Sequence, residues 1–151
     1  NPVGDAMSAQ AIDLCSQVFH NNEMMSDTNR SKLMVASYLG GCAIATSYVG
    51  VVHPFAAGLS VVLGLHHCMA NCVTMMAMGS FYLDGHREFM IMVEKQNIDV
   101  PKDVCSSLSD EQFHALYEAT IIHEKPLTNA LGNGFREILT EGKVRNIFEK
   151  M

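Results

Sequence analysis

The stretch VVHPFAAGLSVVLGLHHCMANC, residues 51–72, lies in the most apolar part of the chain, yet it holds three of the seven histidines. It contains no Asp, Glu, Lys or Arg. A buried imidazole needs hydrogen-bond partners or a metal ion, because an unpaired buried polar group costs stability. Three explanations therefore compete for these histidines: core packing, a membrane segment and a metal site.

Composition narrows the class of protein. At 151 residues the chain is about one domain long, and we expect residues 1–151 to form one helical domain. Its 11 methionines suit a helical core, because Met fills irregular gaps between helices. The net charge is −6 and Lys and Arg do not cluster, which argues against a nucleic-acid partner. The five cysteines show no C-x-x-C spacing and predict buried thiols in a reducing, cytoplasmic setting.

The ends and breaks of the apolar pattern predict an all-α fold. Apolar residues recur at helical spacing from Asp5 to His20, and a second helix is expected from about Asn29, with a weak point at Gly40-Gly41. Helices are also expected after Leu83, after Ser109, in EKPLTNAL and after Thr140. The chain begins at Asn1 without a Met or a basic-then-apolar leader, which predicts a piece of a longer protein.

A membrane segment is one explanation for the apolar run. From Leu33 to Leu83 the chain has no Asp, Glu, Lys or Arg, and a spanning helix needs roughly 20 apolar residues. Two features argue against a membrane segment. The run contains glycines, Pro54 and several polar residues, and it has no Lys- or Arg-rich flanks. We therefore expect helices that are buried on several sides within a helical domain, and no membrane partner.

A metal site requires the chain to turn between His53 and His67. On one unbroken helix these histidines would be about 21 Å apart, too far to share an ion. Pro54 disfavours helical geometry at His53, and Gly58 and Gly64 allow the backbone to relax. The competing explanation is that each imidazole is an ordinary core residue with its own hydrogen bonds.

The remaining candidate ligands are weaker. A zinc cluster of His67, Cys68 and Cys72 is disfavoured because neighbouring helical residues point about 100° apart, so both cysteines are expected to be core thiols. The histidines outside the stretch are expected at a helix end (His20) or in solvated segments (His86, His114 and His123). The chain has no nucleophile elbow, phosphate loop or G-x-G-x-x-G motif.

The segment GVVHPFAAGLSVVLGLHHCMANC, residues 50–72, resembles the metal-binding stretch of the iron-containing (group III) alcohol dehydrogenases. That family reads Gly-x-x-His, then a His 14 residues later, then an Asn four residues on; these positions are His53, His67 and Asn71 here. The helical order before the segment and the closing LTEGKVRNIFEKM also follow the family. The sequence LGLHHCMANC within this segment is most similar to the sugar-acid branch of the family, the 3-deoxy-manno-octulosonate 8-oxidases.

The resemblance implies a multi-helix C-terminal domain of the dehydroquinate synthase-like fold, preceded by an α/β domain that binds NAD or NADP. Such a domain holds divalent iron, sometimes zinc, through one Asp and three His. By the family's spacing an Asp-x-x-x-His pair falls before residue 1, so this chain carries two of the ligands, His53 and His67. We therefore expect the chain by itself to be inactive.

Two positions depart from the family and bear on the substrate. The family often has a second His four residues after the first ligand, where this chain has Ala57, and its usual Pro-His-Gly is His66-His67-Cys68 here. His66 is therefore expected to shape the pocket without binding the metal. Asn71, one turn past His67, is expected to support a ligand or contact substrate; the alternative is a hydrogen bond within the helix.

The resemblance implies oxidation of an alcohol, with the metal polarising the hydroxyl and hydride leaving for the nicotinamide. The expected partners are a small alcohol, such as a sugar acid, the nucleotide-binding domain of the same protein, and further copies in a homo-oligomer. The competing interpretation is a non-catalytic helical interaction domain with a Met-rich core and incidental histidines.

Overall fold

The structure is a computed structural model that describes residues 1–151, and it contains helices and no strand. The helices are α1 (Pro2–Phe19), α2 (Asp27–Ser47), α3 (Val52–Leu63), α4 (His67–Ala77), α5 (Leu83–Lys95), α6 (Asp110–Ile121), α7 (Glu124–Leu131), α8 (Phe135–Ile138) and α9 (Glu141–Phe148). The expectation of an all-α fold is confirmed.

Helix ends follow local capping chemistry. Helix α1 begins at Pro2, earlier than the expected Asp5, because the Asn1 side chain accepts a hydrogen bond from the Gly4 N–H and Pro2 suits the first turn. Ser109 caps α6 as expected, and its hydroxyl and the Gln112 side chain form a reciprocal capping box. Thr140 precedes α9 as expected, but its side chain makes no capping hydrogen bond.

The expected weak point at Gly40-Gly41 was wrong, since α2 runs through both glycines without a break. A glycine inside a helix costs about 1 kcal/mol relative to Ala, a penalty that packing can offset. Helix α2 packs along α1, and the small side chains of Ala36 and Ala43 are buried there. Packing therefore outweighs the local propensity.

The chain divides into two compact units, the first of which comprises Asn1–Tyr48 and Glu88–Asp99. Its α1–α2 pair is tied to the second half of α5 by polar contacts. Glu88 Oε1 accepts a hydrogen bond from Ser16 Oγ at 2.6 Å and lies 2.8 Å from His20 Nε2. Gln96 Nε2 donates to the carbonyl oxygens of Phe19 and Asn21, so the C-terminal end of α1 is held at two points.

The second unit, Val49–Arg87 and Val100–Met151, contains the histidine stretch. Helix α3 packs against both α4 and α6, and α6 packs against α9. A Cβ on Gly58 would lie 3.1 Å from Thr120 Oγ1 and 3.4 Å from the Leu116 carbonyl oxygen, so α3 and α6 approach closely at this glycine. The core of the unit is made of fully buried side chains from these helices: Phe55, Leu59, Leu116, Val144 and Phe148.

None of the helices has both the length and the apolar character needed to cross a membrane by itself. The α2–α3 pair meets these criteria only when the two helices are taken together across the break between them.

Candidate metal centre

The turn that the histidine pair requires is present, but it lies at Gly64. Pro54 does not break the chain at His53 as expected, because both residues fall in the first turn of α3, where Pro is tolerated. Gly64 ends α3 with φ +70°, a left-handed conformation that glycine adopts without strain. Helix α4 then begins at His67, so the first turn of each helix contributes one imidazole.

The two imidazoles face each other. His67 Nε2 lies 3.2 Å from His53 Nδ1, and the ring centroids are 4.8 Å apart with the planes 77° from parallel. Two nitrogen ligands about 2.1 Å from one tetrahedral cation are separated by about 3.4 Å. The observed separation therefore fits a pair of ligands to one ion; it also suits a hydrogen bond from one ring to the other.

The imidazole pair by itself is not a complete set of metal ligands. No group of three or more His, Cys, Asp or Glu side chains is placed to hold an ion together. His53 and His67 are nitrogen donors of the kind that iron and zinc accept, so the donor chemistry fits the expected metal as half of a four-ligand set.

Ser60 is a neighbour of the pair that the sequence did not point to. Its hydroxyl lies 3.5 Å from His67 Nδ1, the ring nitrogen on the other side from His53, and it donates to the Ala56 carbonyl oxygen at 3.0 Å. A metal-binding imidazole is held in orientation when its second ring N–H donates a hydrogen bond, and Ser60 Oγ is placed to accept one from His67 Nδ1–H. Ser60 is seven residues before His67 on a different helix, so only the turn at Gly64 brings the two together.

His66 points to a different partner. Its Nδ1 lies 2.9 Å from Cys68 Sγ, whereas His67 faces His53. The two side chains diverge because His66, with ψ 133°, is the residue before α4 and His67 is the first residue of the helix, and not because both lie on one helix. The expectation that Cys68 and Cys72 are core thiols was wrong for Cys68, which is exposed; Cys72 is half-buried.

Asn71 and Ala57 lie one turn beyond the two histidines. The Asn71 side-chain amide donates to the His67 carbonyl oxygen at 2.9 Å. This hydrogen bond within the helix is the alternative that we named to a role toward the metal or substrate. Ala57, half-buried on α3, has no polar group to contribute. Asn71 therefore supports the first turn of α4, the turn that carries His67.

His123 is the residue that sequence reasoning missed. It was expected in solvent, but it is half-buried immediately before α7, and its ring centroid lies 6.0 Å from that of His53. Burial lowers the pKa of His53 below the usual 6.5, and the nearby His67 and His123 lower this pKa further. His53 therefore tends to stay neutral, which is the form that binds a metal.

The comparison with protein families decides the assignment. Residues 1–121 match the model described as Fe-containing alcohol dehydrogenase family, C-terminal. The chain belongs to this family. The matched residues include the whole α3–α4 turn with His53 and His67, so the imidazole pair lies within the part of the chain that this alcohol dehydrogenase family shares. His123 and the helices after it lie beyond the matched residues.

Three further histidines, His20, His86 and His114, contact neighbours outside the pair. His20 contacts Glu88 at a helix end, close to its expected position. His86 was expected in solvent but is half-buried, and its Nε2 donates to the Met76 carbonyl oxygen at 3.0 Å. His114 is exposed, with Nδ1 2.7 Å from Glu141 Oε1. These three are structural contacts.

The His114–Glu141 contact predicts a pH-dependent contribution to stability. The hydrogen bond and the negative charge of Glu141 raise the pKa of His114 above 6.5. Its contribution is therefore fully present below about pH 6.5 and is lost as the pH rises through the raised pKa. We expect His114→Gln to lower the melting temperature at about pH 6 and to have little effect at about pH 8.5.

Melting curves of the wild type and His114→Gln across this pH range test the prediction. Glu141→Gln is the matched control, because it removes the partner and should abolish the same pH dependence. A deficit in melting temperature that is equal at both pH values would show that the pair does not act through protonation of His114.

Proposed function

We propose that this chain is the metal-binding part of an iron-dependent alcohol dehydrogenase, which oxidises an alcohol with hydride transfer to NAD or NADP. The observation that carries the proposal is the 3.2 Å approach of His67 Nε2 to His53 Nδ1. The two residues are 14 positions apart and meet because the chain turns at Gly64. Membership of the family supports the oxidoreductase class.

In this proposal His53 and His67 hold a divalent iron, with zinc as the substitute. The bound ion polarises the substrate hydroxyl and lowers its pKa. The chain's own contribution is to hold the imidazoles in place and to keep His53 neutral. Pro54, Phe55 and Ala56, which follow His53, are buried, so the first turn of α3 that carries His53 is anchored in the core. Ser60 orients the His67 ring.

The other parts of the enzyme are proposed from the family. An upstream Asp-x-x-x-His pair completes the ligands, and an N-terminal α/β domain of the same protein binds the nicotinamide nucleotide. The substrate is a small alcohol, with a hydroxyl of a sugar acid as the favoured class. We further propose a cytoplasmic homo-oligomer. The 151-residue chain by itself is expected to be inactive, because two ligands and the nucleotide domain are provided elsewhere.

Metal analysis of the natural full-length protein tests the proposal. We expect about one iron or zinc ion per chain and alcohol-dependent formation of NADH or NADPH, both lost after treatment with a chelator and restored by adding Fe²⁺ or Zn²⁺. A purified protein with no stoichiometric metal and no such activity would favour the competing interpretation, a non-catalytic helical interaction domain.

A further inference from the structure

The start of α3, the helix whose first turn carries His53, has no side-chain cap of its own. Val51 is the residue before the helix, and its side chain has no oxygen that could accept a hydrogen bond from the first backbone N–H groups. Val51 is also buried, with 1% of its surface exposed. A buried backbone N–H without an acceptor destabilises the conformation that buries it, so the Val51 N–H needs an acceptor from elsewhere in the fold.

The acceptor is the hydroxyl of Tyr82, 31 positions later in the chain. The Val51 N–H donates to Tyr82 Oη at 2.9 Å. The hydroxyl also lies against Gly50, since a Cβ at that position would be 2.5 Å from Tyr82 Oη. Glycine is the residue that leaves room for the hydroxyl there. Tyr82 Oη therefore contacts the backbone just before His53.

Tyr82 itself lies in the turn that follows α4, the helix that begins with His67. The Met78 carbonyl oxygen accepts a hydrogen bond from the Tyr82 N–H at 3.0 Å. The His86 ring supports the same turn, with its Nε2 3.0 Å from the Met76 carbonyl oxygen. Tyr82 is therefore fixed to the end of α4, and its hydroxyl joins that helix to the start of α3.

We propose that Tyr82 is a positioning residue for the metal centre, because its hydroxyl keeps His53 at the distance from His67 at which both imidazoles reach one ion. The inference rests on the proposed function. The hydroxyl bonds the Val51 backbone and neither imidazole, so it acts by holding the first turn of α3 against the end of α4. Loss of the hydroxyl frees this turn, and ligands that are held loosely bind an ion more weakly because ordering them costs free energy.

The zinc affinity of the natural full-length protein, measured by competition with a chelator, tests this inference. We expect Tyr82→Phe to weaken zinc binding about tenfold, at the lower end of the range that is typical of residues supporting metal ligands. In the zinc-free protein, hydrogen–deuterium exchange of the peptide that contains Val51 should become faster. A tyrosine that only stabilises the fold would lower the melting temperature and leave the zinc affinity unchanged.

Gly50→Ala is a second, independent way to remove the same hydrogen bond. The added Cβ would lie 2.5 Å from Tyr82 Oη and must displace the hydroxyl. Gly50 has no positive φ that would strain an alanine, and Tyr82 Cζ is 3.5 Å away, an ordinary contact, so a phenylalanine at position 82 leaves room for the Cβ. We expect Gly50→Ala to weaken zinc binding about as much as Tyr82→Phe, and the double variant to be no weaker than either single variant.

Tyr38→Phe is the matched control for the loss of a hydroxyl, because Tyr38 is 73% exposed and lies in the other unit; it should leave the zinc affinity unchanged. A wild-type zinc affinity in Tyr82→Phe would overturn the inference while the proposed function remains. Fully additive losses in the double variant would do the same, because the two substitutions would then act through different contacts. A wild-type protein that binds no metal would overturn both.

Discussion

His67→Ala should strip the metal from the full-length protein and abolish turnover, whereas His66→Ala should leave the metal content near that of the wild type. The two histidines are neighbours, but their surroundings differ. His67 Nε2 faces His53 Nδ1 at 3.2 Å, while His66 Nδ1 lies 2.9 Å from Cys68 Sγ. Only His67 is directed toward the position that His53 also reaches.

The expected size of this effect follows from coordination chemistry. Loss of a direct ligand from a four-ligand site should cost far more than the roughly 10–100-fold in affinity or activity that is typical of residues supporting the ligands. His66→Ala can still reduce activity modestly through the shape of the pocket. Ser60→Ala gives an intermediate case, because Ser60 contacts the outer nitrogen of His67 and not the ion.

Elemental analysis of the purified variants measures the difference directly, and circular dichroism checks that each variant is folded. If His66→Ala loses the metal and His67→Ala retains it, the assignment of ligands is shifted by one residue. The alignment with the family would then have to be redone.

Phe148→Ala is the second change with a large expected effect, this time on stability. Phe148 is fully buried, and its ring centroid lies 5.1 Å from that of Phe55. Its Cζ is also close to α3, 3.5 Å from where a Cβ on Gly58 would lie. Truncation leaves a cavity at the junction of α3 and α9, and such substitutions cost about 3–5 kcal/mol in the free energy of unfolding.

Denaturant unfolding of the wild type and the variant measures this cost. Val61→Ala is a control in the same unit, because Val61 on α3 is 77% exposed and its truncation should change the free energy of unfolding by about 0.5 kcal/mol or less. A similar loss in the two variants would show that the contact between Phe148 and α3 does not support the core. The position of His53 on α3 would then depend on other packing.

Much of the helical framework could be predicted from the sequence because its signals are local. Ser109 caps α6 through a residue three positions away, and the apolar spacing predicts α1 and α2 to within a few residues. One error had a local origin and the other a tertiary one. Pro54 was treated as a break and Gly40-Gly41 as a weak point, but a proline in the first turn is tolerated and the packing of α2 on α1 offsets the cost of the glycines.

The candidate site was predicted in part. The spacing of His53 and His67 indicated that they meet only if the chain turns, and Gly64 was one of the residues named for that turn. The exposure of Cys68 and the contact of Ser60 with His67 depend on the angle between α3 and α4 after the turn. The sequence contains no local signal that predicts this angle.

The sequence by itself indicated most of the helices and three residues for the turn between the histidines, Pro54, Gly58 and Gly64, because these signals depend on residues within a few turns of one another. The choice of His53 and His67 as ligand candidates came from the resemblance to the family. Only the tertiary structure decided that His123, 70 positions after His53, lies beside it. The physical reason is the close approach of α3 to α6 at Gly58 and Thr120. That packing carries the end of α6, and with it His123, to the candidate metal centre.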